Sequence, residues 1–362
     1  MNESPILDNK ILDEIANFAQ NLGICALSIA DCSIAEKNQT NFLNKIQNIP
    51  EDLSYLKRNQ ELRDNPELLM EGTKSIISCA FSYYIDEKLP PNNVGYISMY
   101  ARGRDYHKTI KGQLLKLAQK IAQYYPNLKF RALVDSAPFY EQFFASLNQF
   151  SFKGKNNLIR IANFGSTIFL GELLLDITLP NITLIPNEKT QNSTNITCPP
   201  NCSSCIKHCP THALTNEKFQ VERCISYLTI ENKGTIPVEF RPLIGNRIYG
   251  CDSCQLSCPF NSPKINLGNN KPYQLTDFSN RYSNDFLELN NLLTLTQEEF
   301  KVNFQGSAIY RIGYISFMRN VLIAASNAPK GSINLKLLKN LKGISPILDE
   351  LITYVENQHF TK

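Results

Sequence analysis

Eight of the eleven cysteines lie between residues 198 and 258, and their spacing indicates iron–sulfur chemistry. They form the pattern Cys198-x₃-Cys202-x₂-Cys205-x₃-Cys209-Pro210, then Cys224, then Cys251-x₂-Cys254-x₃-Cys258-Pro259. Two Cys-x₂-Cys-x₃-Cys-Pro runs in one short segment are typical of a ferredoxin module with two [4Fe–4S] clusters. Eight thiolates supply all the ligands that two cubanes need, so the sequence predicts a protein that transfers single electrons.

In such a module, the last cysteine of each run binds the other cluster. This rule assigns one cluster to Cys198, Cys202, Cys205 and Cys258, and the other cluster to Cys209, Cys224, Cys251 and Cys254. The first spacing contains three residues, 199–201, where two are usual, so we expect a local bulge beside Cys198. The other cysteines, Cys25, Cys32 and Cys79, lie in or near apolar runs, where cysteine is more often a buried hydrophobic residue than a ligand.

Zinc and disulfides are the alternatives to clusters. Zinc sites also use Cys-x₂-Cys pairs and would form two Cys₄ sites here. Zinc ribbons do not call for a third cysteine four residues later, followed by proline, and this favours clusters. Disulfides suit short secreted domains, whereas the N-terminus, MNESPILDNK, lacks the basic start and apolar core of a secretory signal.

Length and charge set further limits. A chain of 362 residues is too long for one ferredoxin module and suggests two or three domains. The net charge of +4 permits an anionic partner without demanding one. No run approaches 18 apolar residues, so no membrane partner is predicted. Exposed clusters and thiols fit the reducing cytoplasm, where we expect the protein to work.

Apolar periodicity predicts the elements that position these groups. Helices are predicted at Ile11–Leu22 and Lys111–Tyr125, and strands at Ile24–Ala30, Ser75–Tyr84, Phe130–Val134 and Thr167–Leu179. This alternation predicts an α/β or α+β domain over residues 1–180. A ferredoxin-like two-cluster domain is predicted at residues 181–265, beginning with a polar linker at 181–197. A short helical C-terminal region, including Tyr314–Ala325, is predicted at residues 266–362.

Strings of charged, aromatic and glycine residues accompany the cysteine pattern. They are Arg104-Asp105-Tyr106-His107, Val134-Asp135-Ser136-Ala137-Pro138, Gly154-Lys155-Asn156, Gly171-Glu172-Leu173-Leu174, Cys224-Ile225-Ser226-Tyr227-Leu228-Thr229-Ile230-Glu231 and Ile244-Gly245-Asn246-Arg247-Ile248-Tyr249-Gly250-Cys251-Asp252. With the cysteine runs, these strings closely resemble the epoxyqueuosine reductase family over residues 50–265. The resemblance implies a cobalamin and iron–sulfur enzyme of tRNA modification, with an N-terminal cobalamin-binding domain.

The resemblance also implies a reaction. Epoxyqueuosine at the wobble position of a tRNA with a GUN anticodon would be reduced to queuosine, and the epoxide oxygen would leave as water. Two electrons and two protons are consumed. An electron-donating reductant system would supply the two [4Fe–4S] clusters, which would pass single electrons to cobalamin. We expect a monomer.

Asp135 is the proton donor that the resemblance implies. It follows a predicted strand and lies in a turn set by Pro138, where an active-site carboxylate is well placed. Donation at neutral pH requires a raised pKa, which an apolar pocket beneath a corrin ring would provide by desolvation. From the residues alone, an aspartate that caps an Asx-turn is the alternative.

Matching the family's motifs also gives candidate cobalamin contacts. They are Arg63, Ser98, Asp135, Ile159, Leu170, Ser226, Lys233, Cys251 and Asp252. For Ile159 and Leu170, a plain core role is equally open.

Two further strings match known binding motifs only in part. The segment from Asp105 to Ile110 lacks the glycine of the Asp-x-His-x-x-Gly cobalamin motif. We therefore expect no histidine ligand below the cobalt, and His107 is predicted to orient a carboxylate or to pack at a helix start. Gly154-Lys155-Asn156 lacks the rest of a phosphate-binding loop, which favours a surface turn or a contact with the cofactor tail.

Basic residues supply the candidate tRNA contacts, because phosphate binding needs Lys and Arg. The candidates are Arg102, Arg104, Arg241, Arg247, Arg311, Arg319, Lys336, Lys339 and Lys342. Two other functions stay open. One is a different cobalamin and iron–sulfur reductase, such as a reductive dehalogenase, although those are commonly exported. The other is a ferredoxin-like electron carrier without enzymatic activity.

Overall fold

The computed structural model describes residues 9–86, 88–147, 151–161, 164–185, 197–261 and 273–360. The chain divides into two compact units. The first unit comprises Met1–Tyr84, Tyr106–Cys202 and Cys258–Thr276, and the second comprises Ile85–Asp105, Ser203–Ser257 and Asp277–Lys362. This division runs through the cysteine-rich segment, and the three domains at 1–180, 181–265 and 266–362 stay a prediction.

Helices and strands alternate along most of the chain. The α-helices are α1 Asn9–Asn21, α2 Gln39–Ile46, α3 Gln60–Asp64, α4 Tyr106–Ala122, α5 Glu141–Ala145, α6 Ser204–Lys207, α7 Ile225–Ile230, α8 Arg241–Ile244, α9 Ser253–Leu256, α10 Leu289–Leu293, α11 Gln297–Phe304, α12 Gly313–Ser326 and α13 Pro346–Phe360. The strands are β1 Ile24–Asp31, β2 Ser75–Ser82, β3 Tyr96–Ile97, β4 Phe130–Leu133, β5 Phe152–Lys153, β6 Ile159–Arg160, β7 Ile168–Leu175, β8 Ile182–Ile185 and β9 Arg247–Tyr249. Short 3₁₀ helices include Cys32–Asn38, Glu51–Lys57, Met99–Ala101, Pro259–Asn261, Ala308–Ile312 and Leu335–Leu341.

A five-stranded sheet forms the centre of the first unit, with strand order β4-β7-β2-β1-β8. Each of its pairings is antiparallel, so Cys79 of β2 lies opposite Gly171 of β7, and Leu133 of β4 lies opposite Glu172 of β7. The predicted mixture of α and β structure is confirmed. Antiparallel pairing makes the sheet unit the α+β form of the two forms that the sequence left open.

Helices pack on this sheet through apolar stripes. Helix α1 buries Leu12, Ile15 and Ala19, and α4 packs against β4 and β7. The contact between α4 and β7 needs Gly171, because a Cβ atom there would lie 2.7 Å from the Cγ2 atom of Ile110. Since side chains alternate along a strand, the next residue, Glu172, points to the opposite face, where α5 packs against β2 and β7.

The predicted linker at 181–197 is partly wrong. Residues Ile182–Ile185 form the edge strand β8, which pairs with β1. An edge strand needs apolar side chains on one face only, so a short run inside an Asn- and Thr-rich stretch suffices. The part of the predicted linker at 186–196 lies outside the described residues.

Helix α12 is the core of the second unit and is buried along most of its length. Its Arg319 is 1% exposed and donates to the backbone oxygens of Asn232 and Gly234 at 2.7 Å each. The neighbouring Asn320 donates to the backbone oxygens of Thr229 and Ile248. These bonds join α12 to α7 and β9, the elements that directly follow Cys224 and precede Cys251.

The predicted helical C-terminal region is confirmed by α10 to α13. Within the part of the chain that the structure describes, no helix combines the length and apolar character needed to cross a membrane.

Candidate active site and cluster ligands

Asp135 lies just beyond the end of β4. Its backbone has φ +50°, in the left-handed region that residues other than Gly, Asn and Asp seldom adopt. Its N–H donates to Oε1 of Glu141 at 2.6 Å, which stabilises this turn. The Asp135 side chain is 59% exposed. The carboxylate is therefore fixed at its base and open to a bound substrate.

Two residues at the start of α4 orient this carboxylate. The Tyr106 hydroxyl donates to Oδ2 of Asp135 at 2.6 Å, and Nε2 of His107 lies 3.6 Å from the same oxygen. The Tyr106 ring stacks on His107, with centroids 4.1 Å apart, and on Phe169 of β7, at 4.3 Å. The predicted place of His107 at a helix start, beside a carboxylate, is confirmed, and its role in orienting that carboxylate stays a prediction.

Two further carboxyl groups lie behind Asp135. Glu172 is fully buried, and among the described residues the carboxyl group of Glu141 is the one hydrogen-bond partner near its side-chain oxygens. Burial, followed by the charges of Glu141 and Asp135, raises the pKa of Glu172 well above its usual range. Burial and then the Asp135 carboxylate raise the pKa of Glu141 to about 8. Two adjacent buried carboxyl groups with raised pKa values favour one shared proton over two negative charges at neutral pH.

In the first unit, three of the predicted cluster ligands surround Arg160. The Nη1 atom of Arg160 lies 3.9 Å from Sγ of Cys198. Burial lowers the pKa of Arg160, and the sulfurs of Cys258, Cys198 and Cys202 act against that shift. All three sulfurs belong to one predicted cluster, and the fourth predicted ligand, Cys205, belongs to the second unit.

In the second unit, the ligands assigned to the other cluster lie together. Burial raises the pKa of Cys224 to about 11, and the sulfurs of Cys251 and Cys209 contribute to the increase. Burial also raises the pKa of Cys254, and the sulfurs of Cys251 and Cys224 add to the increase. No disulfide joins any of the described cysteines. Within the described ranges, no three Cys, His, Asp or Glu side chains are close enough to share one metal ion.

Of the three cysteines that were predicted to be buried hydrophobic residues, two are fully buried. Cys25 and Cys79 are fully buried in the sheet, where burial raises the pKa of both thiols. Cys32 is half-buried, and its thiol donates to the backbone oxygen of Thr73 at 2.9 Å.

Some of the candidate cobalamin contacts fall in the first unit. Ile159 and Leu170 belong to the same apolar cluster, and Leu170 is partly exposed at its edge together with Ile168. The side chains of Ile168 and Leu170 lie on β7 and point to the face opposite Phe169. Arg63 is instead buried, with its guanidinium 5.0 Å from the Phe42 ring centroid.

The other candidate cobalamin contacts fall in the second unit. Asp252 is buried and accepts hydrogen bonds from Tyr96 Oη at 2.7 Å, Ser98 Oγ at 2.5 Å and the Met99 N–H at 2.8 Å. Ser98 and Asp252 are thus brought together, with their side chains bonded to each other. Ser226 is partly exposed and Lys233 is exposed. Their role in binding cobalamin, and that of Cys251, stays a prediction.

Comparison with known proteins decides the family. A family model described as epoxyqueuosine reductase QueG, DUF1730 matches residues 63–136, and a 4Fe-4S double cluster binding domain matches residues 198–261. Over 360 residues, the chain is 38% identical to the epoxyqueuosine reductase of Aliivibrio fischeri, covering 96% of this chain and 91% of that protein. This chain belongs to the epoxyqueuosine reductase family. The Escherichia coli K12 epoxyqueuosine reductase is 37% identical over 373 residues, covering 99% and 92% of the two chains.

A solved epoxyqueuosine reductase structure shares the fold. It contains an epoxyqueuosine-modified tRNA-Tyr stem loop, and it matches with a TM-score of 0.79 and 25% identity over 97% of this chain and 90% of that chain. The prediction of an epoxyqueuosine reductase is confirmed. The chain is an oxidoreductase of tRNA processing with an iron–sulfur domain.

Three arginines predicted to contact tRNA are buried in this family member. Arg319 lies in the core of the second unit, and Arg102 is buried with its guanidinium 5.0 Å from the Tyr96 ring centroid. Arg241 is buried and bonded to both carboxylate oxygens of Glu350. Arg311 forms an ion pair with Glu231 but is exposed, so its contact with tRNA stays a prediction. Arg104 and the three lysines near the C-terminus are exposed, as a phosphate contact must be.

Sequence reasoning missed the Glu141–Glu172 pair of this family member, and it did not connect Lys155 and Arg160 with the clusters. A signal existed for Glu172, because it is the one charged residue of the apolar strand Ile168–Leu175. No local signal marked Glu141, since its partners are set by the packing of α5 on the sheet.

Proposed function

We propose that this chain reduces epoxyqueuosine to queuosine in tRNAs with a GUN anticodon, with cobalamin that is supplied with electrons by two [4Fe–4S] clusters. The observation that carries the proposal is the Asp135 carboxylate, which is exposed, held at a left-handed turn and bonded to Tyr106. A carboxyl group placed in this way can protonate a substrate oxygen, which is what the opening of an epoxide requires.

The reaction consumes two electrons and two protons and releases one water molecule. Asp135 donates a proton to the epoxide oxygen as its bond to carbon breaks, and Tyr106 and His107 keep the carboxyl group oriented. Because Asp135 is exposed, it regains a proton from solvent and can supply the second one. Its backbone bond to Glu141 keeps the turn in place throughout.

Other described residues support the two kinds of cofactor in this proposal. Cobalamin, when bound, would supply a nucleophilic, low-potential metal centre for the epoxide carbon. The apolar edge at Ile168 and Leu170 supports its binding, and the contact of His107 with Asp135 supports binding without a histidine ligand. One cluster is assigned to Cys198, Cys202, Cys205 and Cys258, and the other to Cys209, Cys224, Cys251 and Cys254.

A basic row supports tRNA binding. Lys336 and Lys339 lie on the 3₁₀ helix Leu335–Leu341, Lys342 follows it directly, and all three are exposed. Side chains three residues apart eclipse one another on a 3₁₀ helix, so Lys336 and Lys339 present their charges on one side. Charges of this kind bind the phosphate backbone of RNA. We place the enzyme in the cytoplasm, as a monomer that receives electrons from a reductant system.

The proposal is tested with anaerobically purified protein that contains both clusters and cobalamin. It is incubated with a chemical reductant and tRNA that carries epoxyqueuosine, and the nucleosides are analysed by mass spectrometry. We expect queuosine, which lacks one oxygen atom. Absence of queuosine from the fully loaded protein would contradict the proposal, and removal of halide from an organohalide instead would favour the alternative reductase.

A further inference from the structure

The three-residue spacing after Cys198 forms a loop that holds the side chain of Lys155. The Nζ atom of Lys155 donates to the backbone oxygens of Pro200 and Cys202 at 2.8 Å each, and to that of Pro199 at 3.4 Å. An ammonium group has three N–H donors, so all three are used. A bond from the Cys202 N–H to the Pro199 oxygen, at 2.9 Å, closes the turn. The additional residue therefore lets three carbonyl groups of the loop converge on one cation.

The same hairpin donates to the sulfur of Cys198. Strands β5 and β6 pair Phe152 with Arg160, and Lys155 lies in the turn between them. The backbone N–H of Lys155 lies 3.4 Å from Sγ of Cys198, and Nη1 of Arg160 lies 3.9 Å from it. One short hairpin thus brings an N–H group and a positive charge to this sulfur.

Arg160 is held in place by aromatic rings and is shielded from water. It is 2% exposed, and its guanidinium lies 3.4 Å from the ring centroid of Phe260 and 4.8 Å from that of Phe152. Among the described residues, no carboxylate forms an ion pair with it, and its Nε atom is buried without a hydrogen-bond partner. The nearby charges are the sulfurs of Cys258, Cys198 and Cys202. A buried cation acts strongly over such distances, because little water screens it.

We propose that Arg160 raises the reduction potential of the cluster bound by Cys198, and that Lys155 positions the loop that carries this ligand. Reduction adds one negative charge to a cluster, and a buried cation and N–H···S bonds stabilise the more negative state. The inference rests on the clusters of the proposed function, but it does not depend on activity toward tRNA. Arg160 and Lys155 are positioning and tuning residues, since neither is expected to touch the substrate.

Redox titration followed by electron spin resonance tests the role of Arg160. The protein with both clusters is titrated anaerobically, without tRNA, and compared with Arg160→Gln. At a fixed ambient potential, we expect the ratio of the reduced to the oxidised form of one cluster to fall about tenfold. This equals a fall of about 59 mV in the reduction potential of that cluster, for transfer of one electron. The other cluster should be unchanged. Unaltered potentials in a variant with both clusters, or equal shifts in both, would overturn the proposal.

Two further variants make the test specific. Arg160→Lys keeps the charge and should recover most of the potential. Lys153→Gln changes a lysine on the exposed side of the same hairpin, whose pKa is lowered to about 8 by burial and by Lys45, and it should change neither potential. Loss of the cluster from both Arg160 variants, but not from Lys153→Gln, would indicate a role in assembly and would overturn the assignment to the potential. Protein that never contains two clusters would refute the proposed function instead.

Lys155→Met tests the role of the loop. Without the ammonium group, the carbonyls of Pro199, Pro200 and Cys202 lose their common donor, and the segment that carries Cys198 loosens. We expect one cluster to be released to an iron chelator at least several times faster than in the parent protein, with the second cluster unaffected. Equal release rates for the parent and the variant would refute this role.

Discussion

Replacement of Glu172 by glutamine should raise the free energy of unfolding at neutral and alkaline pH. Near pH 5, the variant should be no more stable than the parent protein. Glu172 is fully buried beside Glu141, and both the burial and the neighbouring carboxyl group favour its protonated form in the folded state. Unfolding exposes it to water, where a glutamate ionises with a pKa of about 4.3. Above that pH, the folded state binds one proton more than the unfolded state. Linkage then requires the stability of the parent protein to fall as pH rises.

The magnitude follows from the pH interval. Each unit above the unfolded pKa costs about 1.36 kcal/mol, so holding Glu172 protonated at pH 7.5 costs about 4 kcal/mol. Glutamine has nearly the same shape and has no proton to release. Its amide makes a less favourable contact with Glu141 than a carboxylic acid does, which costs about 1–2 kcal/mol. The expected net gain is about 2–3 kcal/mol at pH 7.5, and no gain remains near pH 5.

Thermal unfolding under anaerobic conditions measures this difference. At pH 7.5, the midpoint should rise by roughly 4–12 °C, given the usual relation between stability and Tm for units of this size. Glu36→Gln is the matched control, because Glu36 is exposed in the same unit. A variant that is less stable than the parent at pH 7.5, or one with the same shift at both pH values, would refute a protonated Glu172.

Three other predictions address the active site, the clusters and the tRNA. Tyr106→Phe removes the hydrogen bond to Asp135 but keeps the ring stacked on Phe169, so turnover should fall about fivefold with unchanged cofactor spectra; equal turnover would contradict the orienting role. Cys209→Ala should abolish one cluster in a spin count and leave the Arg160-sensitive cluster intact; loss of the Arg160-sensitive cluster would show that the ligands are paired wrongly. Lys339→Glu should weaken tRNA binding in a fluorescence anisotropy titration and reduce its dependence on salt; an unchanged Kd at low salt would exclude the basic row.

Local sequence patterns predicted most helices and strands of the first unit. The strand that they missed depends on pairing between distant residues. Strand β1 differs from its predicted bounds by one residue at its C-terminal end, and helix α12 by one residue at each end. Helix α4 begins at Tyr106, five residues before the predicted start. Its first turn carries residues of the candidate active site and lacks the apolar stripe on which the prediction relied. Strand β8 was predicted as linker, since its pairing with β1 is a contact across more than 150 residues.

For charged residues too, local sequence predicted some positions and long-range contacts decided others. Asp135 could be selected from its place after a strand and from the family's motif, and the structure places it beside Tyr106 and His107. Arg319 was predicted to contact tRNA, but backbone oxygens of Leu228, Asn232 and Gly234 surround it. A sequence gives the charge of an arginine but not the distant carbonyl groups that allow its burial.

The measurement that tests the account most directly is a single turnover by prereduced enzyme. Protein with both clusters reduced and cobalamin bound is mixed with tRNA that carries epoxyqueuosine, and queuosine is followed by mass spectrometry in samples quenched over time. Asp135→Asn keeps the shape of the side chain but cannot donate as an acid, and general acid catalysis contributes about 10²–10⁴ to a rate. The account predicts that the variant is at least about 100-fold slower, with identical cluster and cobalamin spectra. Equal rates for the parent and the variant would contradict it.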